Sequence, residues 1–131
     1  MRTRGRTASL AATALVFAGC ASSAPAPAET TDGLAESDFV TPGKLTIATG
    51  DIAYEPYVLD DDPASGEGFE AALGYAIAEQ LGFEPDNVEW VRTSFEAAIA
   101  PGPKNFDFNI QQYTITEERR QAVDFSSPYY S

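Results

Sequence analysis

The chain has 131 residues with twenty acidic and eight basic side chains, which gives a net charge of −12 at neutral pH. This charge argues against binding of nucleic acid or anionic lipid by electrostatic attraction. Histidine is absent and Cys20 is the single cysteine, so we exclude Ser-His-Asp and Cys-His nucleophile pairs and a histidine- or cysteine-ligated metal site from the globular part.

The first nineteen residues have the pattern of a secretory signal peptide. Three arginines within the first six residues form a basic start, and an apolar run over 8–18 ends at Gly19 and Cys20. This run of eleven residues is too short to span a membrane, which takes about twenty. We therefore predict that residues 1–19 are removed on export, which leaves five basic and twenty acidic residues and a net charge of −15.

Cys20 lies where a lipoprotein signal carries its modified cysteine. The sequence Phe-Ala-Gly-Cys at 17–20 resembles a lipobox, with phenylalanine where leucine is usual. An unpaired cysteine in an exported protein needs an explanation, and diacylation supplies one; the alternative is an ordinary signal peptide followed by a free thiol. Lipidation predicts anchoring to the outer face of the cell membrane through several acyl chains. Residues 20–41 are rich in small and polar residues and are predicted to form a disordered tether.

Residues 42–131 are predicted to form an α/β domain. Leu45 to Thr49 is a short apolar run bounded by glycines, which is typical of a strand buried in a parallel sheet. The clearest helix covers 69–81, with Gly82 as its C-cap. Its apolar residues recur at helical spacing and are predicted to face the core: Phe69, Ala72, Leu73, Ala76, Ile77 and Leu81.

A second strand, a short helix and a third strand follow. The second strand covers 88–92, with Trp90 half-buried, and Ser94 caps a brief helix that ends at Ile99. Residues 106–110 alternate between aromatic or aliphatic and polar side chains, the pattern of a third strand.

Two short motifs suggest other ligands but lack parts of the pattern that those ligands require. The acidic run at 60–62 lacks the oxygen ligand and the glycine of a calcium loop, because Ala64 and Ser65 stand at those positions. The run at 66–71 matches a dinucleotide fingerprint in letters, but it does not follow a strand directly. We interpret the first as a solvated loop and the second as a turn.

The stretch after the third strand carries the clearest functional signal. Thr116 is placed to cap a helix with an acidic first turn, and Arg119 lies at position N3 of that helix. A helix N-terminus attracts anions, and a guanidinium offers two parallel donors to a carboxylate. The alternative is a solvated arginine paired with Glu117 or Glu118, which is the commoner outcome when only the residue types are considered.

Side chains at strand ends are further candidates, because ligands of open α/β sheets lie beyond the carboxyl ends of the strands. Asp51 and Tyr54 follow the first strand, and Phe95 follows the second. Tyr54 offers a flat face and Asp51 an acceptor for a cationic group. Packing of Tyr54 on Pro56 explains that tyrosine equally well, and core packing explains Phe95 nearly as well.

The order of these motifs resembles the bacterial extracellular solute-binding proteins of family 3, which are receptors of polar amino acid ABC importers. The resemblance covers 41–131 and rests on G-K-L-T-I-A-T-G-D, Y-E-P-Y, G-F-E-A-A-L-G-Y-A-I-A-E-Q-L-G, F-D-F-N-I, T-I-T-E-E-R and V-D-F-S-S-P-Y-Y. It implies a periplasmic-binding-protein-like fold of type II and a monomeric, exported receptor anchored through Cys20. It also implies an amino acid ligand and an ABC permease as partners, without cofactor, metal or catalytic residues.

The resemblance also assigns ligand contacts to individual positions. Arg119 would hold the α-carboxylate of the ligand, and Thr114 would add a hydroxyl or a backbone N–H. Two aromatic side chains would enclose its aliphatic body, and two glutamines stand where small residues are usual. The implied ligand-binding residues are Asp51, Tyr54, Phe95, Gln111, Gln112, Thr114 and Arg119.

The chain departs from the family pattern at its end. The segment 126–130 resembles the hinge that precedes a second lobe, and the chain stops at Ser131. We therefore expect only the first part of lobe 1, without the second lobe and its acidic partner for the ligand's α-ammonium, and weak or no binding by this piece alone. Two alternatives on the same fold are a periplasmic enzyme similar to cyclohexadienyl dehydratases and the sensor lobe of a larger receptor or cell-wall lytic enzyme.

Overall fold

The structure is a computed structural model, and it describes residues 34–131. The predicted signal peptide, Cys20 and the first part of the predicted tether lie outside the described residues. Within the described part, Phe39 packs edge-on against Phe83 with ring centroids 4.8 Å apart, and the N–H of Val40 donates to the Asp107 carboxylate over 2.7 Å. Folded contacts thus begin at Phe39, shortly before the predicted start of the domain at 42.

A three-stranded parallel sheet forms the centre of the domain, in the order β2-β1-β3. Strand β1 is Leu45–Gly50, β2 is Val88–Thr93 and β3 is Phe108–Asn109. All residues of β1 are buried, as expected for a central strand in a parallel sheet. The prediction of a buried first strand and of an α/β fold is confirmed, and the architecture is consistent with part of a periplasmic-binding-protein-like lobe.

Three α-helices within residues 34–131 lie between and after the strands. Helix α1 is Phe69–Gln80, α2 is Phe95–Ile99 and α3 is Glu117–Arg120. The hydroxyl of Ser94 accepts the N–H of Ala97 at the start of α2, so the predicted cap is confirmed. Short 3-10 turns occupy the connections at Glu36–Asp38, Leu59–Asp61, Pro63–Ser65 and Pro85–Asn87. No helix within residues 34–131 is long and apolar enough to cross a membrane.

The buried face of α1 matches the predicted one only in part: Leu73 and Leu81 pack against the main core and Ile77 is half-buried, as predicted. The fully buried residues of the helix are instead small residues and one acid: Glu70, Ala71, Gly74 and Ala78. Phe69 is 44% exposed, and Ala72 and Ala76 are also exposed. The cause is the close approach of the helix to the sheet, because a Cβ at Gly74 would lie 2.7 Å from Cη2 of Trp90. Only a small side chain fits at that contact.

The end of α1 is the predicted glycine cap. Gly82 has φ of 84°, its N–H donates to the carbonyl of Glu79 over 3.0 Å, and the next N–H, of Phe83, donates to Ala78 over 2.9 Å. These are the two hydrogen bonds of a Schellman motif. The turn directs Phe83 toward the cluster of Leu45, Ile47, Ala78 and Ile110 that forms the main core.

Strand β3 is shorter than the predicted strand over 106–110. Beyond its two residues, the N–H of Asp107 donates to Thr46 over 2.8 Å and the N–H of Ile110 donates to Ala48 over 2.9 Å. The carboxylate of Asp107 also accepts the N–H of Thr46 over 2.6 Å. A side chain therefore supplies part of the hydrogen bonding that holds this edge strand to β1.

Candidate functional site

The carboxyl ends of the parallel strands meet at one edge of the sheet, and a cavity of about 290 Å³ lies there. It is lined by the end of β1, the loop that follows β1, the first residue of α2 and the loop that follows β3. The lining residues are Thr49, Gly50, Ile52, Ala53, Tyr54, Phe95, Gln111 and Gln112. This is the position at which ligands bind in open α/β sheets.

The structure brings four of the predicted ligand-binding residues together around this cavity. They are Tyr54, Phe95, Gln111 and Gln112. Asp51 and Arg119 are not among its lining residues, and Thr114 borders a second cavity of about 930 Å³ between α1, α2 and the C-terminal segment. Arg119 is nevertheless linked to the first cavity through Phe95.

Arg119 is held in place by its own loop and by an aromatic ring. Its Nη1 donates to the carbonyl of Thr114 over 2.7 Å, and its guanidinium carbon lies 5.0 Å from the centroid of the Phe95 ring. The hydroxyl of Thr116 accepts the backbone N–H of Arg119 over 3.2 Å, so the predicted cap of α3 is confirmed. The side chain is thereby directed back over the loop between β3 and α3 rather than into solvent.

The alternative of an ion pair between Arg119 and a neighbouring glutamate does not hold for this structure. Within residues 34–131 the ion pair of α3 joins Arg120 to Glu117 over 3.7 Å, and no carboxylate lies within ion-pair distance of Arg119. The guanidinium retains an uncompensated charge that a carboxylate can pair with.

Tyr113 was missed by sequence reasoning, and it shapes the site. Its ring packs on Phe95 with centroids 4.5 Å apart, so that Phe95 contacts both Arg119 and Tyr113. The Tyr113 hydroxyl donates to Oε1 of Gln111 over 3.0 Å. Burial raises the pKa of Tyr113 to about 12. An aromatic residue directly after the glutamine pair is the sequence feature that indicates it.

The side chain of Gln111 comes close to the end of β1. A Cβ at Gly50 would lie 2.8 Å from Nε2 of Gln111 and 2.6 Å from the carbonyl oxygen of Ile52. Glycine at position 50 therefore leaves room for a long amide where the family resemblance leads one to expect a small residue. With Oε1 bonded to Tyr113, the amide nitrogen is the end of Gln111 that lies beside β1.

Gln112 is tied to a buried acid. Its backbone has φ of 47°, its N–H donates to Oε1 of Glu70 over 2.9 Å, and its side-chain amide donates to Oε2 of the same carboxylate. The side chain is therefore held against α1, although Gln112 lines the cavity. Sequence analysis did not single out Glu70, whose signal is an acid on the small-residue face of an apolar helix.

In the loop that follows β1, the acidic group that holds the backbone in place is Asp61 rather than Asp51. Asp51 is exposed, and its backbone N–H donates to Thr93 over 3.1 Å. The carboxylate of Asp61 accepts the N–H of Ala53 over 2.8 Å and pairs with Arg92 over 2.7 Å. The Ala53 hydrogen bond and then the Arg92 contacts lower the pKa of Asp61. The run 60–62 is exposed, as predicted for a solvated loop, and Asp61 also forms hydrogen bonds within the fold.

The ion pair between Asp61 and Arg92, here called the clasp, fixes the loop that carries Tyr54. Arg92 also donates to the carbonyl of Gly50 over 2.9 Å, and Ala53 packs in a small buried cluster with Val58 and Ala71. Tyr54 itself is 63% exposed, so its ring is available at the open side of the cavity. Within residues 34–131 there is no cluster of acidic, histidine or cysteine side chains that could hold a metal ion. The groups at the cavity can bind a small polar molecule through aromatic faces, amides and one cation.

Comparison with known proteins supports the assignment of a family. Residues 45–131 match the sequence profile of the bacterial extracellular solute-binding proteins, family 3. The chain is 30% identical over 82 residues to an L-arginine-binding protein of Pseudomonas aeruginosa, and 36% identical over 89 residues to a probable histidine-binding protein of Campylobacter jejuni. It is also 36% identical over 89 residues to a probable amino-acid ABC transporter periplasmic-binding protein of Sinorhizobium fredii.

These alignments cover much of the chain but only a part of each relative. They include 62%, 66% and 66% of this chain, and 30%, 33% and 28% of the respective relatives. The chain therefore spans about a third of the length of the curated relatives it matches. No solved structure matches the chain. The family and its relatives are named as binding proteins, in agreement with the predicted non-enzymatic role, and the family match extends from β1 to the last residue. The chain belongs to the bacterial extracellular solute-binding proteins, family 3.

Proposed function

We propose that the protein is the substrate-binding component of an amino acid ABC importer and captures a small carboxylate-bearing solute outside the membrane. The observation that carries the proposal is the arrangement of Arg119. Its guanidinium is held by the Thr114 carbonyl and the Phe95 ring, beside a cavity at the strand ends, and it has no carboxylate partner within residues 34–131. A cation fixed in this way and left unpaired favours an anionic ligand group.

The ligand's carboxylate would bind the free donors of Arg119, with Thr114 adding its hydroxyl. The aliphatic part would lie between the exposed ring of Tyr54 and Phe95, and the amide nitrogen of Gln111 would donate to a polar group of the ligand. Gln112 would contribute mainly through its backbone, because its side chain is already bonded to Glu70. Since Asp51 is exposed and outside the cavity lining, its contact with a cationic ligand group would need the loop after β1 to move.

The names of the relatives support an amino acid as ligand and a permease as partner. They include an arginine-binding protein, a probable histidine-binding protein and a probable component of an amino-acid ABC transporter. We further propose that residues 1–19 direct export, that Cys20 is lipidated, and that a monomer is tethered to the outer face of the cell membrane. To test the lipidation, cells are grown with labelled palmitate. We expect the parent protein to incorporate the label and a Cys20→Ser variant to lose it.

Calorimetric titration tests the proposed function. The protein expressed from its complete reading frame is titrated with each of the twenty amino acids, alongside an Arg119→Met and an Arg120→Met variant. We expect binding of at least one amino acid, loss of that binding in Arg119→Met, and near-parental binding in Arg120→Met. The second arginine is the matched control, because it lies on the same helix and pairs with Glu117. Undiminished binding by Arg119→Met would contradict the proposed role of that arginine.

A further inference from the structure

Glu70 is a buried carboxylate whose partners are donors from two distant segments. It is 0% exposed, and within residues 34–131 it has no cationic partner. The backbone N–H and the side-chain amide of Gln112 both donate to it, and so does the hydroxyl of Tyr129. A carboxylate is rarely buried without such compensation, because the loss of its hydration is strongly unfavourable.

Its place on α1 explains why the fold tolerates this acid. Glu70 is the second residue of the helix, where a negative charge is favoured by the helix dipole. Its own N–H donates to the carbonyl of Tyr57 over 2.9 Å. A Cβ at the preceding Gly68 would lie 2.5 Å from that same carbonyl oxygen, so the helix start is pressed against the Tyr57 backbone. The backbone of Glu70 is therefore held in place, and this limits the positions that its carboxylate can take.

The two segments bonded to Glu70 have different roles. Gln112 lies in the loop that lines the strand-end cavity and has a left-handed backbone, with φ of 47°. Tyr129 lies in the C-terminal segment, where its ring packs beside Phe69 with centroids 6.1 Å apart. Burial and the Glu70 carboxylate raise the pKa of the Tyr129 hydroxyl, so this phenol remains a donor at neutral pH. One side chain thus joins the cavity loop to the C-terminal segment.

We propose that Glu70 is a positioning residue for the ligand site, which holds Gln112 in its left-handed conformation and couples the cavity loop to the C-terminal segment through Tyr129. This inference rests on the proposed function, because it concerns the geometry of the same site. A non-glycine residue in the left-handed region is strained, and the double hydrogen bond to Glu70 compensates for that strain. When Tyr129 moves, the carboxylate loses a partner and Gln112 is held less firmly.

Hydrogen exchange tests the coupling without any ligand. Exchange of the Gln112 amide is followed by NMR in the protein from the complete reading frame, and in Glu70→Gln, Tyr129→Phe and Glu79→Gln variants. Glu79 lies on the exposed side of the same helix and controls for the change in charge. We expect Gln112 exchange to rise about tenfold in Glu70→Gln and about threefold in Tyr129→Phe, from the loss of hydrogen bonds to a charged acceptor. Glu79→Gln should leave the exchange rate unchanged.

A role in folding alone predicts a different result. It would lower the melting temperature in Tyr129→Phe and raise exchange at buried β1 amides by the same factor as at Gln112, and that outcome would overturn the proposal. If Glu70→Gln does not fold, the Tyr129→Phe measurement decides, because this variant removes only one donor. For an amino acid that binds the parent protein, Kd should also rise about tenfold in Glu70→Gln. If none of the twenty amino acids binds, the proposed function fails, whereas the exchange rates still test the coupling.

Discussion

The guanidinium of Arg119 lies over the ring of Phe95, with its carbon 5.0 Å from the ring centroid. This relationship joins the start of α2, which follows β2, to α3, which follows the loop after β3, so the segments beyond two strand ends are in contact. Because Tyr113 packs on the same ring at 4.5 Å, Phe95 orients both the cation and the tyrosine that holds Gln111.

We therefore expect the ring of Phe95 to contribute to ligand affinity beyond its proposed contact with the ligand. A Phe95→Leu change keeps an apolar side chain but removes the cation–π contact, which is worth about 0.5–1 kcal/mol, so we expect Kd to rise about two- to fivefold. The measurement is calorimetry on the protein from the complete reading frame. Phe95→Tyr, which keeps the ring face, should bind within about twofold of the parent. Equal affinity of the leucine variant would argue against this role.

The clasp between Asp61 and Arg92 makes stability depend on pH. The pKa of Asp61 is lowered from its ordinary value of 3.8, so its contribution is fully present above that value and disappears as the pH falls through the lower folded-state pKa. We expect Asp61→Asn to melt at a lower temperature than the parent at neutral pH, and the difference to shrink below pH 3.8.

Thermal melts from neutral to strongly acidic pH measure this difference. Asp60→Asn is the matched control, because Asp60 is the neighbouring residue and also has a positive φ, of 51°. Asparagine tolerates that backbone conformation well. A pH-independent difference between Asp61→Asn and the parent would count against the clasp.

The contact between α1 and the sheet limits position 74 to glycine. Alanine raises helix propensity by about 1 kcal/mol, but its Cβ would meet Trp90 at 2.7 Å, and such overpacking costs about 1–3 kcal/mol. We expect Gly74→Ala to lower the melting temperature and to shift the fluorescence of Trp90. Ala76→Gly, on the exposed side of the helix, should lose about 1 kcal/mol without the fluorescence change. A more stable Gly74→Ala protein would show that the helix can move away from Trp90.

The 131-residue chain by itself should bind amino acids weakly or not at all. Tyr54 is 63% exposed at the open side of the cavity, whereas small-molecule sites usually enclose about 70–90% of the ligand surface. We expect no thermal shift of this chain at micromolar concentrations of any of the twenty amino acids. A clear shift under those conditions would mean that the described groups suffice for binding.

Sequence patterns predicted the elements whose causes are local. The buried run of β1, the hydroxyl caps at Ser94 and Thr116 and the glycine at the end of α1 follow from neighbouring residues, and all are confirmed. The site was predicted in part, because strand ends can be recognised in the sequence and four of the chosen residues line the cavity. The ligand contacts themselves remain predictions.

What the sequence did not reveal depends on distances between remote segments. Helix α1 has apolar residues on most of its surface, so its period placed Leu73 and Leu81 correctly but also assigned exposed residues such as Phe69 to the core. The close contact of Gly74 on α1 with Trp90 on β2 determines how the helix lies on the sheet, and this contact joins two separate elements. The bonds of Glu70 to Gln112 and Tyr129 join residues 42 and 59 positions apart. No local pattern distinguishes such an acid from a solvated one.

The bonds of Asp107 also have a mechanical consequence. Its carboxylate accepts the N–H groups of both Val40 and Thr46, so it secures the incoming chain next to the first residues of the central strand. If the proposed tether is pulled from the membrane side, the force acts first on the packing of Phe39 against Phe83. It acts next on the hydrogen bond between Val40 and Asp107, and only then on β1. Asp107 would then act as the anchor point that shields the sheet from tension in the tether.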